Sequence, residues 1–421
     1  MGMSPHRPAT AANPGMPQAT PHAITLADVR AAAARIAGAV LRTPTIRCDA
    51  LSRATGAQIH LKLDNLQATG AFKERGAANR IALLTPRERA AGVIAMSAGN
   101  HAQAVARHAS LAGITATIVM PRFTPATKVT RTEGWGARVV LHGDTLAEAA
   151  AHALDLALRD GLTFVHPYDD PGVIAGQGTA ALEMLEDFPG LEVLAVPVGG
   201  GGLLTGCAAA ALELKPGITV YGVEVEGYPA MAQRLAGKPV QVGGPTIAEG
   251  IAVRDVGELP YQLLARMGIE VLVVPERAVE EAVALLAEGA KLVAEGAGAA
   301  GLAAVLAHPE RFAGKAVGIP VCGGNIDARA LSNVLLRQLL RDGRILRLLF
   351  EIPDRPGVLA DIATRISALG GNVIEVNHQQ LFGAPTVQST ELYIMVEVRD
   401  AAQGDAIIAA LRAGDYVVKR I

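Results

Sequence analysis

Short apolar runs recur through the first 340 residues, each closed by Gly, Pro or a polar turn. Ile59–Leu63, Val93–Met96, Thr117–Met120, Arg138–Leu141, Val193–Val198, Val220–Val225, Val271–Val274 and Val317–Val321 each have the length of one strand buried on both faces. Helical stretches separate them. Thr85-Pro86-Arg87-Glu88 offers an N-cap hydroxyl, a Pro at the first helical position and a Glu at the third. Thr145 and Glu148 repeat the capping-box spacing ahead of Ala149–Arg159. Strand and helix in alternation predict parallel sheets with helices on both faces, an α/β fold. Ligands of such sheets sit beyond the C-terminal ends of strands, so the chemistry is sought there.

The pattern changes after Asp342-Gly343. A strand (Ile345–Ile352) leads through Pro353-Asp354-Arg355-Pro356-Gly357 into a helix (Val358–Leu369). Strands Val373–Leu381 and Glu391–Val398, a helix Gly404–Arg412 and a strand Tyr416–Lys419 complete a ferredoxin-like βαββαβ order. Residues 1–22 are rich in Pro, Ala, Thr and Met without the apolar stretch of a signal peptide, which predicts a disordered tail.

Composition narrows the function classes. A chain of 421 residues suits two or three domains. Half of it is hydrophobic but only 3% is aromatic, so aliphatic side chains must fill the cores. The net charge of −2 and the lack of a Lys/Arg block exclude a nucleic-acid footprint. No apolar run reaches the roughly 18 residues that would span a bilayer. The cysteines, Cys48, Cys207 and Cys322, are odd in number and far apart. That argues against disulfides and a zinc site, and fits a reducing cytoplasm.

Four segments that follow strands carry chemistry. In Thr69-Gly70-Ala71-Phe72-Lys73-Glu74-Arg75-Gly76 a Lys stands at a helix start beside an aromatic ring. Schiff-base chemistry needs such a Lys with its ammonium pKa lowered, although a lone Lys beside Phe is usually a surface residue. Ser97-Ala98-Gly99-Asn100-His101 leaves room beside the backbone, and the helix start behind it can hold a carboxylate. A polar turn is its bland reading. Gly199-Gly200-Gly201-Gly202-Leu203 exposes backbone amides at a helix N-terminus, a phosphate cup without the Lys-Ser/Thr ending of a nucleotide loop. A merely flexible loop is the alternative. Val321-Cys322-Gly323-Gly324-Asn325 places a thiol that either is inert core or faces a ring nitrogen.

Together these segments resemble the fold-type II pyridoxal-phosphate enzymes, and most closely the threonine/serine dehydratases, over about residues 23–335. The resemblance implies two open twisted α/β sheets. It also implies that Lys73 carries pyridoxal 5'-phosphate, with Phe72, Asn100, Gly199, Gly200, Gly201, Gly202, Leu203 and Cys322 around the cofactor. Ser97, Ala98, Gly99, Asn100 and His101 would bind the substrate. Cys322 facing the pyridine nitrogen would leave the ring neutral, favouring prompt loss of a β-substituent. Ala71 replaces a common Ser, which leaves cofactor binding intact. Ala98 stands where the related serine racemases carry a second base, which disfavours racemisation. Glu224 matches one residue of the racemases' divalent-metal site, but the next acidic position falls on Ala230, so no metal is expected.

The segment from Arg344 resembles an ACT domain. Either an amino-acid effector site or a dimerisation module follows from that. The expected organisation is a tail (1–22), a catalytic region (23–341, with a smaller subdomain near 64–160) and an ACT domain (344–421). The expected activity is β-elimination of threonine, and also serine, in a cytoplasmic homodimer or homotetramer, with isoleucine or valine as candidate effectors. Serine or 3-hydroxyaspartate as main substrate, racemisation, and a non-catalytic sensor are the rival readings.

Overall fold

The computed structural model describes residues 23–353, 355–379 and 389–421. The expected N-terminal tail, Asp354 of the Pro/Gly turn and the end of the strand expected at Val373–Leu381 lie outside the described residues. The strands are β1 (Thr45–Arg47), β2 (Gln58–Lys62), β3 (Val93–Met96), β4 (Ala116–Met120), β5 (Arg138–Leu141), β6 (Thr163–Phe164) and β7 (Val193–Pro197). They continue as β8 (Thr219–Val225), β9 (Glu270–Val274), β10 (Ala316–Pro320), β11 (Ile345–Pro353), β12 (Asn372–Gln379), β13 (Ser389–Glu397) and β14 (Val417–Arg420).

A six-stranded sheet has the order β1-β2-β10-β7-β8-β9, parallel except for the β1–β2 pair. A four-stranded sheet, β5-β4-β3-β6, is parallel throughout. The apolar runs read as strands occupy these positions. The hydrophobic pattern does not reveal β1 and β6: three and two residues are too short to show a period.

Small residues set how closely the helices pack. Helix Pro171–Asp187 lies against both helix Gly202–Leu214 and helix Lys73–Ala82. A methyl group on Gly206 would lie 2.3 Å from Ile174 O, and one on Gly176 would lie 2.5 Å from Arg75 O. Backbone thus meets backbone on both sides of helix 171–187, and the helix that starts at Lys73 is seated without slack. Ala, Leu and Val fill the core under the large sheet, as the low aromatic content requires.

The chain forms two compact units: residues up to Glu276 with Ala294–Asn325, and Arg277–Val293 with Ile326–Ile421. In the second, an antiparallel sheet β12-β13-β11-β14 is accompanied by helices Val358–Ala368 and Ala401–Ala413, the βαββαβ arrangement. Leu346, Leu348, Phe350 and Ile352 alternate along β11 into its core. Helix Glu276–Gly289, from Arg277 onward, and helix Ala328–Arg341 also belong to this unit, where Glu280 pairs with Arg337 and Arg341.

Candidate active site

Lys73 opens its helix with its main chain tied to the opposite sheet segment. Phe72 N donates to Cys322 O (2.9 Å), and Ala71 bridges Gly323. The next two residues anchor this start. Glu74 is buried and held by Arg107 (2.9 Å) and His108 (3.1 Å), and it accepts the Thr69 N–H. Arg75 is wholly buried and donates to Asp64 (2.7 and 2.8 Å), Glu183 (2.7 and 3.0 Å) and Thr179 (3.0 Å). The side chains that follow Lys73 therefore fix where it points.

The Lys73 ammonium has no such pairing. Nζ donates to Pro167 O (2.7 Å) and lies 5.1 Å from the centre of the Phe72 ring. Among the described residues no carboxylate lies within ion-pair distance of it. Desolvation pulls its pKa down to about 8, against a small opposing pull from Cys322. The same segment that receives Lys73 reaches the glycine loop. The Tyr168 ring sits 2.2 Å from where a Gly200 Cβ would be, and Tyr168 O lies 2.9 Å from the corresponding point on Gly202. Gly201 has φ +99°, a left-handed conformation suited to glycine. The four glycines thus bring backbone without side chains to the N-terminus of the helix Gly202–Leu214, whose second residue is Leu203. Leu203 and Cys322 belong to one apolar cluster, and Phe72 packs against it.

The Ser97–His101 loop follows β3 and starts the helix Asn100–Leu111. Ser97 Oγ accepts the Gly99 N–H (3.1 Å), and the space beyond the Gly99 Cα is open for 4 Å. Ser97, Ala98, Gly99 and Asn100 are half-buried. His101 turns inward: Nε2 lies 2.9 Å from Val165 O, and Nδ1 is buried without a partner. Burial, reinforced by the charge of Lys73, drives its pKa to about 3, so the ring is neutral. Burial likewise keeps the Cys322 thiol protonated, with Sγ 3.5 Å from Ala297 O. Glu224 caps helix Ala230–Leu235 by accepting the Met231 (2.8 Å) and Ala232 (2.9 Å) N–H groups. No cluster of three or more His, Cys, Asp or Glu suited to a metal exists among the described residues.

Tyr168, His166 and Glu295 lie outside the segments that the sequence singles out, and Asn325 lies inside one without its contacts being visible there. Tyr168 covers the glycine loop. His166 Nδ1 accepts the Asp169 N–H (2.8 Å) and shapes the segment around Pro167. Asn325 donates to Thr69 O (2.7 Å) and Asn100 Oδ1 (2.8 Å), and Glu295 accepts from Asn100 Nδ2 (2.8 Å). The one visible signal for Glu295 is a solitary acid amid Ala294-Glu295-Gly296-Ala297-Gly298.

The residues fit pyridoxal phosphate: a desolvated Lys whose neutral form is accessible, four consecutive glycines that lead into a helix N-terminus, and a neutral thiol. The family model described as "Pyridoxal-phosphate dependent enzyme" matches residues 36–323, and "ACT domain" matches 344–419. The chain is 42% identical over 398 residues to an L-threonine ammonia-lyase of Thermotoga maritima, covering 94% of this chain and 99% of that one. The crystal structure of a T.th. threonine deaminase superposes with a TM-score of 0.68, at 38% identity over 72% of this chain and 99% of that one. A maize serine racemase gives a TM-score of 0.70 at 33% identity, over 76% and 99%.

Proposed function

The chain belongs to the pyridoxal-phosphate-dependent enzyme family and carries an ACT domain, and from that premise we propose that it is an L-threonine ammonia-lyase. The products are 2-oxobutanoate and ammonia. The observation that carries the reading is Lys73: desolvated, without an ionic partner, and poised near neutrality between a glycine cradle and a carboxylate-binding helix start.

When bound, the cofactor withdraws electrons from the substrate Cα and so acidifies the Cα–H bond. The chain supplies the rest. Backbone N–H groups at the start of helix Asn100–Leu111 orient the substrate carboxylate. The Lys73 amine, neutral in a useful fraction at pH 7 to 8, takes the Cα proton. The electron pair of that bond expels the β-hydroxyl, which leaves as water after gaining a proton. Hydrolysis of the released enamine, through its imine, consumes one water and yields the keto acid and ammonia. Ala98 offers no hydroxyl for a second base, which favours elimination over racemisation despite the likeness to a serine racemase.

A keto-acid assay across L-threonine, L-serine and 3-hydroxyaspartate tests the reading. Highest kcat/KM on threonine with measurable serine turnover is expected, and greater activity on either rival substrate overturns the preference. We also infer an amino-acid effector for the ACT domain and assembly of two or four copies. Titration with isoleucine and valine tests the first, and sedimentation the second. No helix among the described residues is long and apolar enough to cross a membrane.

A further inference from the structure

Glu295 is a desolvated carboxyl, and among the described residues no cation pairs with it. Leaving it there costs free energy unless the acceptor it provides is needed. Burial lifts its pKa to about 7, opposed by the Asn100 and Asn325 N–H donors; Lys128 and Glu249 act on it from the rim, where they pair with each other at 2.9 Å. Its position is tightly defined. Glu295 N donates to Gly323 O (3.0 Å), and a methyl group on Gly323 would lie 2.3 Å from Glu295 Oε1. The glycine after Cys322 is therefore the space this carboxyl occupies.

The hydrogen bonds around it fix the orientation of an amide. Asn325 Nδ2 donates to Thr69 O, which can only accept, so the direction of the Asn325 amide is unambiguous. Its other hydrogen goes to the neighbouring Asn100 atom, which must therefore be Oδ1. Asn100 Nδ2 then faces Glu295 and gives it one hydrogen. One hydrogen of Asn100 Nδ2 remains, so Asn100 keeps a free donor. Removing Glu295 takes away the acceptor that holds the Nδ2 side of that amide.

We infer that Glu295 is a positioning residue for the elimination, holding the Asn100 amide so that its free N–H faces the cofactor's ring oxygen. The inference rests on the reading that places Asn100 at the cofactor. It also accounts for an acid in a site where neither Lys73 nor the neutral Cys322 uses one.

Apo-protein titrated with pyridoxal 5'-phosphate tests it, reading the dissociation constant and the absorption spectrum of the bound cofactor. Asn100→Ala is expected to weaken binding about ten-fold or more, as loss of one charge-linked hydrogen bond does, and to displace the visible band. Glu295→Ala is expected to change both in the same direction, with Glu295→Gln intermediate because its carbonyl oxygen still accepts. Should the Ala variant not fold, Glu295→Gln carries the same comparison. The double variant Asn100→Ala/Glu295→Ala is expected to match Asn100→Ala within about two-fold, since the two act in series. Wild-type affinity and spectrum in both Glu295 variants, with Asn100→Ala impaired, overturn the inference; so do fully additive effects. An Asn100→Ala protein that binds and absorbs like wild type overturns instead the placement of Asn100 at the cofactor, and the inference with it.

Discussion

Two clusters of titratable groups, one buried and one partly buried, are built on opposite principles. Behind Lys73, Lys62, Asp64, Arg75 and Glu183 form two cations and two anions in mutual contact, with Lys62 to Glu183 at 2.5 Å and Thr43 donating to Asp64 at 2.6 Å. Pairing holds the Asp64 carboxyl below its ordinary value and raises the Arg75 guanidinium, both against the desolvation that burial imposes. In front, His101 is buried and Lys73 and Glu295 are half-buried, without ionic partners among the described residues, and desolvation is the main cause that moves their pKa values to about 3, 8 and 7. In the paired cluster Asp64 and Arg75 keep their charges over the whole physiological range, while burial lowers the pKa of the Lys62 ammonium despite its contact with Glu183. The unpaired one contains groups able to gain or lose a proton there. Depth alone does not make a functional site; depth without compensation does.

Substitutions separate the two clusters most sharply where they should have opposite effects. Lys73→Met is expected to cut threonine turnover at least about 10³-fold, because it removes both the cofactor attachment and the base. The same change relieves an unpaired, desolvated ammonium, so the apo-protein should unfold at an equal or higher temperature. Mass spectrometry after borohydride reduction should find the cofactor on Lys73 in the wild type and nowhere in the variant. Turnover within ten-fold of wild type would remove Lys73 from its role. Arg75→Met should do the reverse to stability. It strands Asp64 and Glu183, and about 3–5 kcal/mol is the scale for breaking a buried pair of this kind. Chemical denaturation measures it, and a loss under about 1 kcal/mol would mean the network is not compensated as described.

A pH titration between pH 6 and 9 should follow Lys73 and Glu295 of the front cluster. Lys73 is lowered from 10.5 to about 8 in the folded chain, so its contribution to apo-protein stability is present above 10.5 and is lost as pH falls through 8. Capture of cofactor by the apo-protein needs the neutral amine. Its rate should rise about ten-fold per pH unit below 8 and level off above. Glu295 is raised from 4.5 to about 7, so its contribution is full below 4.5 and fades as pH rises through 7. A capture rate flat from pH 6 to 9 would show that Lys73 is not desolvated.

The sequence shows the two clusters unequally. The alternation of apolar runs locates most strands of both parallel sheets, because a strand buried on both faces is a contiguous apolar word. The glycine loop and the Lys73 segment are readable because each is local in the chain. What joins them is not local. Tyr168 reaches Gly200 from a separate connection, and Asn100 meets Glu295 across 195 residues. Lys62, Asp64 and Arg75 look like ordinary surface charges until Glu183, 108 residues beyond Arg75, closes the network. Contacts of that separation leave no periodicity.

Cys322 marks the boundary of the comparison and carries the smallest expected effect. It is buried in the front cluster, yet it is neutral like the core around it, its thiol pushed well above its ordinary value chiefly by burial and further by Glu295. We infer that it serves the site as a small group without charge, where a carboxylate would hold a ring nitrogen protonated. A hydroxyl does the same, and Ser is close in volume. Cys322→Ser should therefore retain threonine turnover within about three-fold, the cost of one weak hydrogen bond exchanged for another. Cys322→Asp brings a charge beside Glu295 and should instead depress turnover by at least about ten-fold while raising the apparent pKa of the pair, since two neighbouring carboxyls resist ionising together. Equal activity in the Ser and Asp variants would show that neutrality at this position is immaterial, and would return Cys322 to the core.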